Sequence, residues 1–283
     1  MSAEFIRAMF DAGISVMGEI VADGQLHRAH VDGDRPGTRN GWYLLHDGDF
    51  PAGAFGSHKL GISRKWRADQ KREPLTQQAR AQMDADRKAR AEAQERAYIA
   101  AVSRAEQILE AATRDASQHP YCLRKGIRLF GVKANKHGLL VIPIYSAVTG
   151  KLQTIQMIAN DGSKKMLTGG RFTNGCFPFS DVPNFWANAV HRIGIGEGWA
   201  TCATLTETLH ETAMFSAFSA GNLMNVARAL RARYSDTSIV IYGDHDINGT
   251  GQRYANAAAT AIDGLVAIPP IPGHDWNDAR RAA

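Results

Sequence analysis

From about residue 188 onward the chain alternates short apolar runs with amphipathic segments, and this alternation limits the possible folds more than any other feature. Residues 189–195, 213–217, 238–242 and 265–268 read as strands. Residues 201–210, 223–234 and 252–262 read as the helices between them. Successive β-α units of this length predict a parallel sheet with helices packed on it. In such a sheet, ligands gather at the carboxyl ends of the strands, where loops and helix N-termini converge.

The acidic residues of this region fall at those ends. Glu197 follows its strand within Gly194-Ile195-Gly196-Glu197-Gly198, and Asp244 and Asp246 follow theirs within Tyr242-Gly243-Asp244-His245-Asp246. A lone Asp-x-Asp is a weak signal. With a strand-end Glu about fifty residues earlier it becomes a cage of hard oxygen donors suited to magnesium, with manganese as a substitute. Two such ions can activate a 3′-hydroxyl and neutralise a leaving pyrophosphate. Asp275 and Asp278 near the C-terminus are further candidate ligands, and Asn277-Asp278 could instead cap a short helix. His245 could touch substrate or be an oriented surface residue.

Upstream, residues 1–66 carry short alternating runs separated by Asp23-Gly24, Asp32-Gly33 and Asp47-Gly48, the signature of a small β-rich module. It ends in a basic aromatic stretch, residues 58–67, which either contacts single-stranded DNA or is a solvated loop before a helix. Residues 67–118 read as a helical linker: from Pro74 to about Ser117 the composition turns to Ala, Gln, Arg and Glu, a long helix or helical hairpin with Pro74 in its first turn. Tyr98, Ile99, Val102, Ile108 and Leu109 supply its core-facing side. Residues 119–187 read as a basic β-rich subdomain, with a hairpin formed by 139–144 and 152–158 and a glycine-rich basic loop containing Lys164, Lys165 and Arg171. Residues 188–283 form the final α/β domain.

The net charge of +5 favours a polyanionic partner without identifying one. Cys122, Cys176 and Cys202 lack metal-ligand spacing, so no zinc is expected and a reducing, cytoplasmic setting is. No stretch approaches the roughly 18 apolar residues of a membrane span. Arg228, Arg231 and Arg233 read as the polar face of an amphipathic helix.

Ile195-Gly196-Glu197-Gly198-Trp199-Ala200-Thr201-Cys202-Ala203 resembles the EGYATA motif of primases encoded by satellite phages and conjugative plasmids, with Trp for Tyr and Cys for Ala. Phe218-Ser219-Ala220-Gly221-Asn222-Leu223, Ile241-Tyr242-Gly243-Asp244-His245-Asp246 and Asp275-Trp276-Asn277-Asp278 resemble later blocks of the same family. The resemblance implies a C-terminal Toprim domain and a primase related to bacterial DnaG-type catalytic cores. The implied activity is synthesis of RNA primers from ribonucleoside triphosphates on a single-stranded DNA template. Glu197, Asp244 and Asp246 would hold the metal, Lys165 would be the best counterpart of the family's catalytic lysine and Lys164 the second. Arg124, Lys125 and Arg171 would contact nucleic acid.

The chain departs from cellular primases in carrying Thr201, where they carry an Asp four positions after the Glu. A zinc module or replicative helicase is expected on another chain, if present at all. A Toprim nuclease and a non-catalytic single-strand-binding protein are the competing readings.

Overall fold

A computed structural model describes residues 2–16, 18–48, 51–68, 77–179 and 191–282, with side chains for all but Ser2 and residues 77–79. Pro74, the expected strand start at Ala189 and the expected boundary at 187/188 lie outside them. The chain divides into two compact units, Met1–Gln82 and Met83–Ala283.

In the first unit, helix α1 (Ser2–Asp11) precedes an antiparallel meander of β1 (His27–Ala29), β2 (Gly41–His46), β3 (Ala52–Ser57) and β4 (Ile62–Arg67), paired in that order. The turn-rich pattern predicts the strands. It does not predict α1, which is needed to bury one face of the sheet. Phe5 of α1 is fully buried and meets Phe55 and Trp66 edge-on, with ring centroids 5.5 and 5.3 Å away. The basic stretch 58–67 is a turn followed by β4, and not a loop leading into a helix.

Helix α2 (Gln77–Ala111) is a single 35-residue helix and not a hairpin. Its buried stripe is built from small residues: Ala101 and Ala105 are fully buried, whereas Ile99 is 60% exposed. Alanines let the helix backbone approach Val141 and Ile155 closely, with Ile108 and Leu109 at the margin of that cluster. The short α3 (Pro120–Lys125) is capped by His119, whose ring accepts the Tyr121 N–H, and is closed by Gly126 at φ 61°.

The remaining elements are the strands of one sheet and the helices packed on it. They are β5 (Lys133–Ala134), β6 (Leu140–Ser146), β7 (Leu152–Ile158), β8 (Lys164–Met166), β9 (Gly175–Phe179), β10 (Arg192–Gly196), α4 (Trp199–Thr208), β11 (Ala213–Ser216), α5 (Ala220–Arg233), β12 (Ser238–Tyr242), α6 (Thr250–Thr260), β13 (Leu265–Ala267) and α7 (Trp276–Ala282). The strand order is β13-β12-β10-β11-β9-β6-β7-β8, with β5 beside β6. The pairings among β10, β11, β12 and β13 are parallel, as the alternation predicts. Ile193, Ile195, Phe215 and Ile241 in these strands are fully buried, because helices cover both faces.

The sheet does not stop where residues 119–187 give way to the α/β region. Strand β9 pairs antiparallel with both β11 and β6, so the basic hairpin and the parallel strands share one hydrogen-bonded layer. Trp199 at the start of α4 is fully buried, with ring centroids 6.2 and 5.9 Å from those of Phe177 and Phe179 of β9. Cys122, Cys176 and Cys202 are buried free thiols. Among the described residues no helix is long and apolar enough to cross a membrane.

Candidate functional site

Strands β10 and β12 are parallel neighbours, with Gly196 level with Tyr242. Glu197 and Asp244 therefore leave the sheet at adjacent strand ends, within a residue of the same level. Four carboxylates interact there, those of Glu197, Asp244, Asp246 and Asp275. The burial of Asp244 and the negative charges of Glu197, Asp275 and Asp246 push its carboxyl up to about 7. Glu197 is raised by burial and by Asp246; the N–H of Ala220, the first residue of α5, and Lys164 oppose this. One Asp244 oxygen, Oδ1, is buried with no hydrogen-bond partner.

Asp246 is held by the start of α6. Its Oδ2 accepts the Gly251 N–H at 2.8 Å, and its backbone carbonyl accepts from Gln252 Nε2 at 3.0 Å. Residue 251 has to be glycine for steric reasons, since a Cβ there would stand 2.5 Å from the Asp244 carbonyl oxygen and 3.2 Å from Asp246 Oδ2. The Asp-x-Asp motif does not reveal this contact, because residue 251 lies beyond it. Gly251→Ala is expected to push the acidic loop off α6 and cost ~2 kcal/mol, measurable as a lower midpoint in urea denaturation.

His245 is a structural tie. Its Nδ1 bonds the Pro269 carbonyl at 2.8 Å, and its backbone exchanges hydrogen bonds with His274 and Gly273. This fixes the segment leading to Asp275. The helix cap there is Asp275 and not Asn277-Asp278: Asp275 Oδ1 accepts the Asp278 N–H at 2.8 Å at the start of α7. Asn277 is fully buried and donates to the Lys125 carbonyl and to Thr204 Oγ1, which locks α7 to α3 and α4. Lys125 lies within 3.4 Å of both Asp275 and Asp278.

The two neighbouring lysines of β8 have different surroundings. Lys164 feels Glu197, Asp275 and Asp244, and lines an open cleft of about 410 Å³ together with Tyr121, Arg124, Thr201, Asp275 and Arg281. It reaches solvent, yet crowding by protein and then the charge of Lys125 lower its ammonium pKa, against the pull of the three acids. Successive residues of a strand point to opposite faces, so Lys165 turns the other way. Arg171 is held by helix α2, ion-paired with Glu95 and stacked 4.1 Å over the Tyr98 ring. Arg231 of α5 bonds the carbonyls of Ile262, Ser235 and Thr237.

Among the described residues no group of three or more His, Cys, Asp or Glu side chains is close enough to hold a metal ion as it stands. The donors nonetheless suit a hard cation. They are carboxylates that repel one another, and one of them carries a buried oxygen without a partner.

This chain is 34% identical over 280 residues to a DNA primase TraC of Escherichia coli, an alignment covering 94% of this chain and 26% of the relative. A second E. coli DNA primase TraC is 32% identical over 285 residues, covering 94% of this chain and 19% of the relative. The chain thus spans about a quarter of these relatives' length or less. Among solved structures, the DnaG primase catalytic domain bound to single-stranded DNA gives a TM-score of 0.45 at 11% identity, covering 67% of this chain and 75% of that one. The primase fragment of the bacteriophage T7 primase-helicase protein gives 0.39 at 15%, covering 57% and 64%. Neither likeness is strong enough to bear on function. Residues 192–283 match the family model for the Toprim domain, whose members generally bind a divalent metal. The strand-end carboxylates Glu197, Asp244 and Asp246 all lie within that match, so the C-terminal third of this chain is a Toprim domain.

Proposed function

We propose that this chain performs the catalytic step of a DNA primase, the magnesium-dependent joining of ribonucleotides on a single-stranded DNA template. The observation that carries this reading is the attraction of Lys164, which lines an open cleft together with Asp275, to Glu197 and Asp244 at the strand ends of a Toprim domain, with Asp246 beside those two acids. Similarity to two proteins named DNA primase over 94% of the chain supports it.

In this reading Glu197, Asp244 and Asp246 hold the divalent cations, and Asp275 borders them. When bound, these ions would lower the pKa of the primer hydroxyl and offset charge on the departing pyrophosphate. Lys164, Arg124 and Arg281 give the cleft a cationic wall for a triphosphate and a polynucleotide backbone. Lys125, paired with Asp275 and Asp278, positions α7. Arg171 supports α2 and is not assigned a place on the template. Manganese is expected to substitute for magnesium, since both are oxygen-seeking.

The test is incorporation of labelled ribonucleotides on single-stranded templates. Products are expected with magnesium, absent with chelator, and restored by manganese. If the wild type yields no metal-dependent product, the proposal is wrong; template cleavage without incorporation would favour a Toprim nuclease.

A further inference from the structure

Helix α1 covers one face of the four-stranded sheet of Met1–Gln82, packing Phe5 and Met9 on Tyr43, Leu45 and Phe55. The strand register defines what lies on the other face. Arg28, Trp42 and Gly56 share one row, and Leu44, Ala54 and Lys65 the next, with Arg67 one row beyond. Arg28, Lys65 and Arg67 are exposed, and Trp42 and Leu44 are half-buried. The small residues between them leave a shallow floor. At Gly56 a Cβ would stand 2.7 Å from the Trp42 indole, so the ring lies directly against the backbone there.

The charge on this face does not follow from the composition of the segment. Residues 1–68 hold eight Lys or Arg and eight Asp or Glu, for no net charge. None of those acids lies in β1, β2, β3 or β4, and three of the cations point from the open face. At the usual strand spacing, Arg28 on β1 and Lys65 on β4 stand ~14 Å apart across the sheet, room for a few nucleotides. An aromatic ring amid cations, over strands that carry no carboxylate, with the one bridging acid, Asp23, at the sheet edge and bonded to His27, matches the two requirements of single-strand binding: stacking for bases and positive charge for phosphates.

We propose that this open sheet face is a second binding site for single-stranded DNA, with a base stacked on Trp42 and the backbone held by Arg28, Lys65 and Arg67. It operates whether or not the C-terminal site synthesises primers. It would grip template at a surface other than the cleft where chemistry occurs.

The experiment measures binding of a fluorescent oligo-dT to the full chain by anisotropy, in chelator and over a salt series. The variants are K65E/R67E, Trp42→Ala, and K88E/R90E as an equal charge change on exposed α2. K65E/R67E is expected to weaken binding about tenfold and to reduce the salt slope by ~1.4, or about 0.7 for each phosphate that is no longer neutralised. Trp42→Ala is expected to weaken binding about tenfold with the slope unchanged. Because Lys65 and Arg67 are exposed, the charge-reversal variant remains informative if Trp42→Ala fails to fold. The proposal is overturned if K65E/R67E binds as wild type, if K88E/R90E weakens binding as much, or if duplex or polyglutamate of equal charge competes as well as oligo-dT.

Discussion

Replacing Asp244 with Asn is expected to abolish primer synthesis and, in the same molecule, to raise the melting temperature of the metal-free protein. The loss follows from removing one of three carboxylates proposed to hold the cation, and a fall of roughly three orders of magnitude in kcat is expected. The gain follows from electrostatics. The folded Asp244 carboxyl sits at about 7 against an ordinary 3.8, because burial and the charges of Glu197, Asp275 and Asp246 disfavour its ionised form.

A carboxyl raised on folding binds its proton more tightly in the folded state, so the metal-free fold loses stability as pH rises. The penalty is absent below about pH 4, builds between about 4 and 7, and is complete above that. Because Asp244 retains some contact with solvent, its expected size is ~2 kcal/mol, about 5 °C in melting temperature. Asn keeps the shape and removes the charge, so the gain appears at pH 8 and nearly vanishes at pH 4. Calorimetry in chelator at both pH values measures it, and a lower melting temperature for D244N at pH 8 would contradict the account. Added magnesium is expected to stabilise the wild type more than the variant, since occupied metal sites stabilise the native state by mass action.

The second large effect separates two adjacent lysines. Lys164→Ala is expected to lower kcat/KM for ribonucleotide incorporation about a hundredfold, whereas Lys165→Ala is expected to leave it within about twofold. Lys164 lines the cleft and senses Glu197, Asp244 and Asp275, while Lys165 points to the other side of β8. Steady-state kinetics on one template decides between them. Equal losses at the two positions, or a larger one at Lys165, would show that β8 does not present Lys164 to the nucleotide.

This pair marks the boundary of what could be read before folding. The family resemblance points to Lys165, and nothing local to Lys164-Lys165 distinguishes the two. Which of the two faces the acids depends on the pairing of β8 with β7, where Lys164 stands opposite Ile158 and Lys165 opposite Met157. A register shift of one residue would exchange their faces. Arg171 gives the same lesson, because its partners Glu95 and Tyr98 lie more than seventy positions earlier on α2.

The sequence alone determined the alternation that makes β10 to β13 a parallel layer, and it located Glu197, Asp244 and Asp246 at strand ends. Both follow from local properties: apolar runs of strand length, intervening amphipathic segments, and acids directly after those runs. Only the tertiary structure decided that α1 closes one face of the first sheet and leaves a cationic face open, that Lys125 pairs with Asp275 and Asp278, and that Gly251 must lack a side chain beneath Asp244. These depend on contacts between segments far apart in the chain. Strand register and helix packing set such contacts, and neither is written in the spacing of residues along a single element.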